Sequence, residues 1–578
     1  MVQVQLDLSE PRQHRVAVTL RLEPRLARMR LQLPGWTPGS YLIRDYVRQL
    51  EQLSVSQGGE ELALQRLSPS CWLVEPDLQG GALEVRYAVM ATELSVRTCH
   101  IDQDHAFLAL AAVVLELEGE RWSPHQLQCQ LPVGWDLVLP LSGNSCDGWQ
   151  ARDLDQLLDT PLEAGPHRCH SFSVAGVPHQ WITWGGPAGA DDWLLQRFPQ
   201  LLGDVARVCE SCCRLMGVPQ PASSGYLFVL HLLDEAYGGL EHDDSTVLVY
   251  GRSNFEKPDG YRKFLQLVAH EYLHQWNVRR LRPAELVPID YHQPPVVPTL
   301  WFAEGITSYV DQFLPLTAGL SSADELLEDL GADLSRFRLV PGRFVQSLRE
   351  SSQEAWVKLY KADAYSPDSQ VSYYLKGAVV ALCLDLHLRA AGSSLPAVLQ
   401  ALWQSHGRWR RGYSEQDLIA AFAAGSADLA QLLPQWLSER NDPDLDGYLA
   451  GVGLELRSEL ASSPWAGFSV RADAGRLIVQ RVHRGGPAEQ AGVMVGDELI
   501  GVDQQRLLQS DALHRALRDG AAQELLIARR GQLRSLSLQC RPPALERYRL
   551  VRCETASAAA LERQRQWLAL EPVCGAPC

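Results

Sequence analysis

The hydrophobic period of the chain changes twice, and this constrains the fold more than any other sequence feature. From Val2 to about Val174, polar and apolar residues alternate in short runs, as in Val16–Leu22 and Leu83–Val89. From Asp191 to about Leu454, apolar residues recur three or four positions apart, and shorter strand-like runs return after Pro464. A period of two is typical of strands and a period near 3.6 of helices. The sequence therefore predicts a multidomain protein with a β-rich N-terminal domain, a mostly helical middle and a small α+β module.

The length supports this division. A chain of 578 residues is too long for one hydrophobic core, because single domains usually stay below about 250 residues. The changes of period place the domains at residues 1–174, 175–455 and 463–540, followed by a tail with a short helix at residues 541–578.

The pattern also predicts individual elements. In the middle domain it predicts one strand at Tyr226–Leu233 and five helices, at Trp193–Met216, Lys263–Val278, Ala323–Phe337, Val379–Ala391 and Ser394–His406. After Pro464 it predicts strands at Phe468–Val470, Leu477–Val482, Leu499–Val502 and Glu524–Ala528, and helices at Pro487–Ala491 and Ser510–Arg518.

Charge and hydropathy exclude two kinds of partner. The 53 basic and 69 acidic residues give a net charge of −16, and without a long basic block the chain is a poor match for nucleic acid. The longest apolar stretch, Ala106–Leu115, is well short of the roughly 20 residues that cross a bilayer. Met1–Leu20 carries charges where an export signal needs an apolar centre, so we expect no membrane span and no signal peptide.

The cysteines point to a reducing compartment. Their number, 13, is odd, and they are spread from Cys71 to Cys578, unlike the cysteines of a disulfide scaffold. Cys209 and Cys212 have a CxxC spacing without a second pair, so we interpret them, like Cys574 and Cys578, as structural. The expected location is the cytoplasm.

The segment His270-Glu-Tyr-Leu-His274 has the spacing of a metal site. It lies in the apolar periodic run that begins at Phe264, so it should be helical, and residues four apart on a helix share one face. Two imidazoles on one face can hold one Zn²⁺. Glu271, one position further round the helix, would lie beside the ion, where a carboxylate can take a proton from water that the ion activates.

A catalytic zinc ion usually takes a third protein ligand and leaves one position for water. Glu304 fits this role, because it lies in the apolar run Leu300–Val310, where a carboxylate is costly unless it is paired or bound to a metal. The sequence therefore predicts one Zn²⁺ per chain, bound by His270, His274 and Glu304.

Several motifs resemble those of known zinc peptidases. HEYLH with WFAEG resembles the gluzincins, whose third ligand is Glu. Tyr237–His242 resembles the Gly-Ala-Met-Glu-Asn motif of the M1 aminopeptidases, with Gly239, Leu240 and His242 in place of Ala, Met and Asn. Tyr374-Leu-Lys-Gly resembles their Tyr-x-Lys-Gly motif.

The layout of the whole chain is closer to the M61 family, the glycyl aminopeptidases. A β-rich N-terminal domain, a thermolysin-like catalytic domain and a C-terminal PDZ domain cover nearly the full length. Further matching segments are Pro34–Tyr41, Leu154–Gly165 and Gly407–Leu418.

The resemblance implies roles for further residues. Tyr374 would stabilise the oxyanion of the tetrahedral intermediate, with the adjacent Tyr373 as the alternative. Glu241 would bind the free ammonium group of the substrate, and Gly238 and Gly239 would hydrogen-bond its extended backbone through a strand without Cβ atoms.

Two implied contacts stay open at this stage. His242 stands where the M1 motif has Asn, which leaves its contact with substrate undefined. The thermolysin pattern has an Asp four positions after the Glu ligand, where this chain has Ser308, and the next acid is Asp311. The group that orients the metal ligands is therefore unassigned.

The C-terminal module resembles a PDZ domain of the bacterial protease type. The resemblance rests on Trp465-Ala-Gly-Phe, on the segment Arg484–Gly492 and on Val495–Ile500. It implies that a C-terminal peptide adds to the edge of the sheet, with its carboxylate at a glycine-containing loop.

Three functions follow from these features. The first is a zinc aminopeptidase that removes small N-terminal residues such as Gly and Ala. The second is a zinc endopeptidase in which Glu241 binds no amine, and the third is a noncatalytic scaffold whose PDZ domain carries the function. The sequence does not define the residue specificity, the ligand of the PDZ domain or the oligomeric state.

Overall fold

The computed structural model describes residues 1–187 and 192–573. Cys574 and Cys578, which the sequence suggests are structural, lie outside the described residues. The described chain forms two compact units. The first comprises residues 1–297, 313–321 and 396–418, and the second comprises residues 298–312, 322–395 and those from 419 onward.

The N-terminal region is built from short strands, which confirms the predicted β-rich domain. The strands are β1 Val2–Asp7, β2 Arg15–Leu22, β3 Met29–Gln32, β4 Leu50–Gln57, β5 Glu60–Glu61, β6 Gln65–Ser68, β7 Cys71–Val74, β8 Leu83–Met90, β9 Cys99–Ile101, β10 Ala106–Ala109, β11 Glu116–Leu117, β12 His125–Gln130, β13 Asp136–Val138, β14 Ser142–Asn144, β15 Gly148–Ala151 and β16 Pro161–Gly165, with one helix, α1 Leu154–Leu158. Three sheets result, with the orders β14-β15-β12-β1-β2-β8-β4-β5, β13-β16-β10-β9 and β11-β3-β7-β6. In β1 and β2 the side chains alternate between buried and exposed, as the period of two predicts.

A mixed sheet with the order β17-β18-β19-β21-β20 follows in the same unit. Its strands are β17 Cys169–Val174, β18 Val177–Trp184, β19 Tyr226–Leu233, β20 Tyr237–Glu241 and β21 Ser245–Gly251. The predicted strand at Tyr226–Leu233 is confirmed, but strands β18, β20 and β21 are missing from the prediction. β20 lies at an edge of the sheet and pairs only with β21 among the described strands.

Three helices of this unit pack near the sheet: α2 Trp193–Arg197, α3 Leu201–Leu215 and α4 Gly260–Leu273. The sequence predicts one continuous helix at Trp193–Met216, and this is wrong. The helix ends at Arg197 because Pro199 lacks an N–H and disfavours the helical conformation of the residue before it. Cys209, Cys212 and Cys213 are buried in α3, which fits a structural role.

Helices dominate the chain from residue 301 to residue 451, as predicted. A π-helical turn at Trp301–Gly305 comes first. It is followed by α5 Ile306–Val310, α6 Phe313–Thr317, α7 Ala323–Arg338, α8 Leu348–Gln353, α9 Tyr373–Ala390, α10 Leu395–Ser405, α11 Glu415–Gly425, α12 Leu429–Ser438 and α13 Leu445–Gly451.

Helix α9 begins earlier than the predicted Val379. It starts at Tyr373 because the side chain of Ser372 accepts a hydrogen bond from the N–H of Leu375 and so caps the first turn. The segment Ser366–Ala390 is long and apolar enough to span a membrane by length and composition, with a mean hydropathy of 1.3 in its most apolar window. Of that window, 78% is buried inside the structure, as in the core helix of a folded domain.

The C-terminal part contains the predicted α+β module. The strands of the module are β23 Phe468–Asp473, β24 Arg476–Val482, β25 Glu498–Val502, β26 Gln505–Arg506, β27 Ala522–Arg529 and β28 Gln532–Gln539, and its helices are α14 Pro487–Ala491 and α15 Ser510–Ala516. Outside it lie β22 Leu454–Leu460, β29 Leu545–Arg552 and α16 Ala558–Leu568. Strands β23-β24-β25-β27-β28 form one sheet around a core that includes Leu477, Leu499 and Leu525.

The two ends of this module are joined by backbone hydrogen bonds. Trp465 and Arg541 exchange N–H···O bonds of 2.8 and 3.1 Å, and just outside them β22 pairs with β29 along its whole length. The tail therefore contains a strand as well as the predicted short helix.

Helix α16 contacts the helical region. Trp567 in α16 donates from its indole nitrogen to Tyr309 Oη at 2.7 Å, and Tyr309 Oη lies 2.9 Å from Asp385 Oδ2.

Candidate active site

Helix α4 carries the HEYLH segment and is fixed at both ends. At its start, a Cβ on Gly260 would collide with the carbonyl oxygen of Asn254, so only glycine fits. The carbonyl of Gly260 also accepts a 2.7 Å hydrogen bond from Tyr250 Oη. At its C-terminal end, His274 follows the last helical residue and keeps a right-handed conformation. His270 and His274 therefore lie on one face, with ring centroids 4.7 Å apart, as their spacing predicts.

Glu304 lies on the π-helical turn and is 2% exposed. Single π turns inside helices are frequent at functional sites, because the extra residue redirects a side chain. The turn is held by close helix packing. A Cβ on Gly305 would lie 2.5 Å from the Cα of Gly377 in α9, so the two glycines let the backbones touch.

The structure brings together the three predicted metal ligands. His270, His274 and Glu304 each offer a ligand atom, and these atoms lie within 4.8 Å of one another. His274 Nδ1 donates to the carbonyl oxygen of Asn277 at 2.5 Å, which leaves the lone pair of Nε2 for a metal ion. The backbone of Asn277 thus orients His274, a contact that the sequence did not reveal. Two imidazoles and a carboxylate are a donor set that suits Zn²⁺.

Glu271 lies in a second, overlapping group. Its carboxylate, that of Glu241 and a ring nitrogen of His274 lie within 4.8 Å of one another, and all three residues are buried. A Cβ on Gly239 would collide with the Glu271 carboxyl group. Glycine at position 239 therefore lets strand β20 run against the side chain of Glu271 without displacing its carboxyl group.

The predicted substrate-binding residues lie on or beside the edge strand β20. Gly238 has a φ of +152°, and a Cβ there would meet nothing within 4 Å. Gly238 and Gly239 are both partly exposed. An edge strand with little side-chain cover can accept an extended peptide along its free side.

Glu241 ends this strand and is 4% exposed. Its Oε1 atom is buried and has no hydrogen-bond partner among the described residues. Gly39, at a φ of +87°, lies directly against it, since a Cβ there would be 2.6 Å from both carboxylate oxygens. Gly39 belongs to the quoted segment Pro34–Tyr41, but nothing local in the sequence links it to Glu241.

A second residue of the N-terminal domain also reaches this strand. Arg97 donates from Nη2 to the carbonyl oxygen of Gly239 at 3.4 Å. Gly39 and Arg97 were not among the predicted site residues. Both contacts join segments more than 140 residues apart, which local sequence patterns do not reveal.

His242 is held by an acidic partner. Its Nδ1 donates to Asp159 Oδ1 at 3.0 Å, and Asp159 also pairs with Arg279 at 2.7 Å. The neighbouring Asp243 is buried, which raises its pKa, but Arg279 and Arg410 outweigh this and hold the pKa well below its usual range. Asp159 and Asp243 therefore fix the chain directly after Glu241. The Nε2 of His242 is buried without a hydrogen-bond partner among the described residues.

Tyr373 and Tyr374 open helix α9, and their hydroxyl groups meet at Tyr360. Tyr360 Oη lies 3.2 Å from Tyr374 Oη and 3.5 Å from Tyr373 Oη. Tyr373 is fully buried, whereas Tyr374 is partly exposed and so is the one more open to a substrate. Two positions later, burial and the nearby Arg343 lower the pKa of Lys376 to about 8.

Three family models match separate segments of the chain. A peptidase M61 N-terminal domain matches residues 3–166, an M61 glycyl aminopeptidase matches residues 263–380 and a PDZ domain matches residues 478–530. The middle match contains the HEYLH segment, Glu304 and Tyr374. No curated protein matches the chain.

Among solved structures, an aminopeptidase N family protein from Idiomarina loihiensis is similar over 98% of this chain and 100% of that chain, with 28% identity and a TM-score of 0.90. Legionella pneumophila aminopeptidase A, solved with aspartic acid, has 13% identity and a TM-score of 0.49 over 94% of this chain and 57% of that chain. A mutant of a two-domain M1 zinc metallopeptidase bound to L-arginine has 17% identity and a TM-score of 0.46 over 77% of this chain and 94% of that chain. The similarity to the Idiomarina protein covers every domain of the chain.

Proposed function

Because this chain is a member of the M61 peptidase family with a C-terminal PDZ domain, we propose that it is a zinc-dependent aminopeptidase that removes small N-terminal residues from peptides. The observation that carries the proposal is the convergence of His270, His274 and Glu304 beside a second group that contains Glu271 and Glu241. One group has the donors for a metal ion, and the other has the carboxylates for proton transfer and for amine binding.

In the proposed mechanism, His270, His274 and Glu304 hold one Zn²⁺, as in the gluzincins. Bound there, the ion would supply Lewis acidity that polarises a peptide carbonyl and makes water more acidic. Glu271 takes the proton from the attacking water and later gives it to the leaving amine. Tyr374 donates a hydrogen bond to the oxygen on which negative charge develops, and this favours the transition state over the ground state.

The substrate binds as an extra strand along the free edge of β20. Gly238 and Gly239 leave room for its backbone, and Glu241 at the end of the strand pairs with its free ammonium group. Within the part of the chain that the structure describes, the buried Oε1 of Glu241 accepts no hydrogen bond, and the backbone of Gly39 lies against its carboxylate; both observations support this role. A buried carboxylate is costly without compensating charge. Arg279 interacts electrostatically with Glu241, and the ammonium group supplies a further cation. Gly39 forms a wall beyond the ammonium site, and this favours cleavage of a single residue over cleavage within a chain.

The test compares free and blocked amines. Glycine and alanine p-nitroanilides should be hydrolysed, activity should disappear after treatment with a chelator, and added Zn²⁺ should restore it. The N-acetylated forms of the same substrates should be hydrolysed at least about 100-fold more slowly, because the pairing with Glu241 is lost. Equal rates for free and acetylated substrates would favour the endopeptidase. A lack of hydrolysis of any peptide by the zinc-loaded protein would favour the scaffold.

The PDZ domain has its own binding edge. Strand β23 ends the sheet, and Gly467, at a φ of +78°, precedes it in the Trp465-Ala-Gly-Phe loop. We propose that a peptide with a free C-terminus adds to β23 and places its carboxylate at this loop. Fluorescence anisotropy with peptides that end in a carboxylate or an amide would test this, and equal affinity for both would contradict it.

A further inference from the structure

A second group of histidines surrounds a buried glutamate in the N-terminal unit. His105 directly precedes β10, Glu163 lies in β16 and His231 lies in β19, and all three side chains are fully buried. His105 Nδ1 lies 3.0 Å from Glu163 Oε1, and His231 Nε2 lies 2.9 Å from Glu163 Oε2. The three residues offer ligand atoms within 4.8 Å of one another.

A fourth imidazole reaches the same carboxylate. His167 Nε2 lies 3.2 Å from Glu163 Oε1. The intervening Gly165 makes this possible, since a Cβ there would lie 2.5 Å from the ring of His167 and 3.2 Å from the Cβ of His105. Together with His100, whose ring centroid is 5.2 Å from that of His105, four of the 16 histidines of the chain lie in this one region.

Charge makes this arrangement hard to explain as ordinary packing. A carboxylate without solvent exposure costs several kcal/mol unless a cation compensates it. No Lys or Arg pairs with Glu163 in the described part of the chain, so its partners there are imidazoles.

We propose that His105, Glu163 and His231 bind a second Zn²⁺ ion. Imidazole nitrogen and carboxylate oxygen are zinc ligands, and three protein donors are enough to hold the ion. Tetrahedral ligands at about 2.0–2.1 Å from an ion are about 3.3 Å apart, close to the spacing of these nitrogens from the Glu163 oxygens. One divalent ion also supplies the positive charge that the buried carboxylate needs.

The position of the group gives the ion a structural role. Strands β10 and β16 belong to a sheet of the N-terminal domain, whereas β19 is the central strand of the mixed sheet that also contains β20. An ion held by all three strands would tie these two sheets together. It would therefore stabilise the part of the chain that carries Glu241 without taking part in hydrolysis.

The test is a count of metal ions in variants of the full-length protein. Each protein is stripped with a chelator, incubated with excess ZnCl₂ and desalted, and its zinc is measured by mass spectrometry. The wild type should hold two ions per chain. The His270→Ala/His274→Ala variant, which lacks both imidazoles of the active site, should keep one. Adding His231→Asn should leave none. His125→Asn removes another buried histidine, bonded to the carbonyl of Ser123, and should keep two.

The outcomes separate the two metal sites. Zinc-free His270→Ala/His274→Ala protein would overturn the second site and leave the first. In another outcome, the wild type and the His270→Ala/His274→Ala variant each hold one ion that is lost only when His231→Asn is added. That result would support the second site and contradict the proposed catalytic site. If His231→Asn does not fold, the His270→Ala/His274→Ala variant alone decides. Its Co²⁺ form should show the d–d absorption of a tetrahedral ion, and its thermal midpoint should rise with added Zn²⁺. The absence of both signals would show that the imidazoles only share protons with Glu163.

Discussion

The His270, His274 and Glu304 group and the His105, Glu163 and His231 group contain the same residue types in different surroundings. In the first, His270 is partly exposed, a glycine-rich edge strand runs alongside, and Glu271 and Glu241 are close to His274. In the second, all three side chains are fully buried: Glu163 lies in β16, His231 lies in β19 and His105 directly precedes β10. The donors alone therefore do not define a catalytic site. Access for a substrate and the neighbouring carboxylates distinguish a catalytic metal site from a structural one.

The strongest test of this contrast is Glu271→Gln. Loss of the general base should lower kcat for alanine p-nitroanilide by about 10³–10⁴-fold while both zinc ions stay bound, because the amide keeps the size of the side chain but does not accept the proton. Steady-state kinetics and metal analysis measure the two effects. Glu285→Gln, at an exposed position, is the control and should retain wild-type activity. Near-normal turnover by the Glu271 variant would remove the proposed distinction between the groups.

The opposite pattern is expected for Glu163→Gln. Loss of the buried charge should lower the free energy of unfolding by about 3–5 kcal/mol, whereas kcat/KM at low temperature should stay at the wild-type value. Urea denaturation would measure the first quantity. Glu61→Gln, at an exposed position in β5, should leave the stability unchanged. If the Glu163 variant is as stable as the wild type, the second group contributes nothing to the fold.

Glu241→Gln tests whether the first group recognises an amine. It should lower kcat/KM for free-amine substrates by about 100-fold, because one partner of a buried ion pair is removed, and should leave the slow rate on acetylated substrates unchanged. Glu235→Gln, in the exposed segment just before β20, is the matched control. Equal losses on free and acetylated substrates would mean that Glu241 supports the fold of the strand instead.

The smallest catalytic effect concerns the tyrosines. Tyr374→Phe should lower kcat by up to about 100-fold with little change in KM, which is the loss expected for one hydrogen bond to an oxyanion. Tyr373→Phe should change kcat less, because its hydroxyl is fully buried. The reverse order of the two variants would assign the role to Tyr373. Zinc content should be unaffected in both.

How far the sequence predicts each group follows from how local its contacts are. His270 and His274 lie on one helix, so a spacing of four residues predicts their shared face, and the apolar run around Glu304 indicates its burial. The second group joins residues 58 and 68 positions apart in the chain, two of them on different strands and His105 directly before a third. Sequence periodicity assigns such residues to strands but does not say which strands become neighbours.

The same limit explains the remaining differences in the fold. The predicted division into a β-rich region, a helical region and a PDZ-like module is confirmed, because each rests on long periodic segments. Strands β18, β20 and β21 were missed, and β20 contains two adjacent glycines, which disfavour strands in isolation. Their pairing with the rest of the sheet stabilises them, and that contact is not local. The exact domain boundaries remain a prediction.

Strands β22 and β29 pair with each other, and Trp465 pairs with Arg541 next to them. The PDZ module is therefore an insertion between two paired strands, and not a domain attached through a single linker. A truncation from the C-terminus removes α16 and β29 before it reaches the module. It therefore also removes the hydrogen bond from Trp567 to Tyr309, a residue five positions after Glu304. Excision of the module alone, with the two strands rejoined by a short turn, leaves that contact in place. Truncation and excision are therefore different perturbations, and only the second isolates what the module itself does.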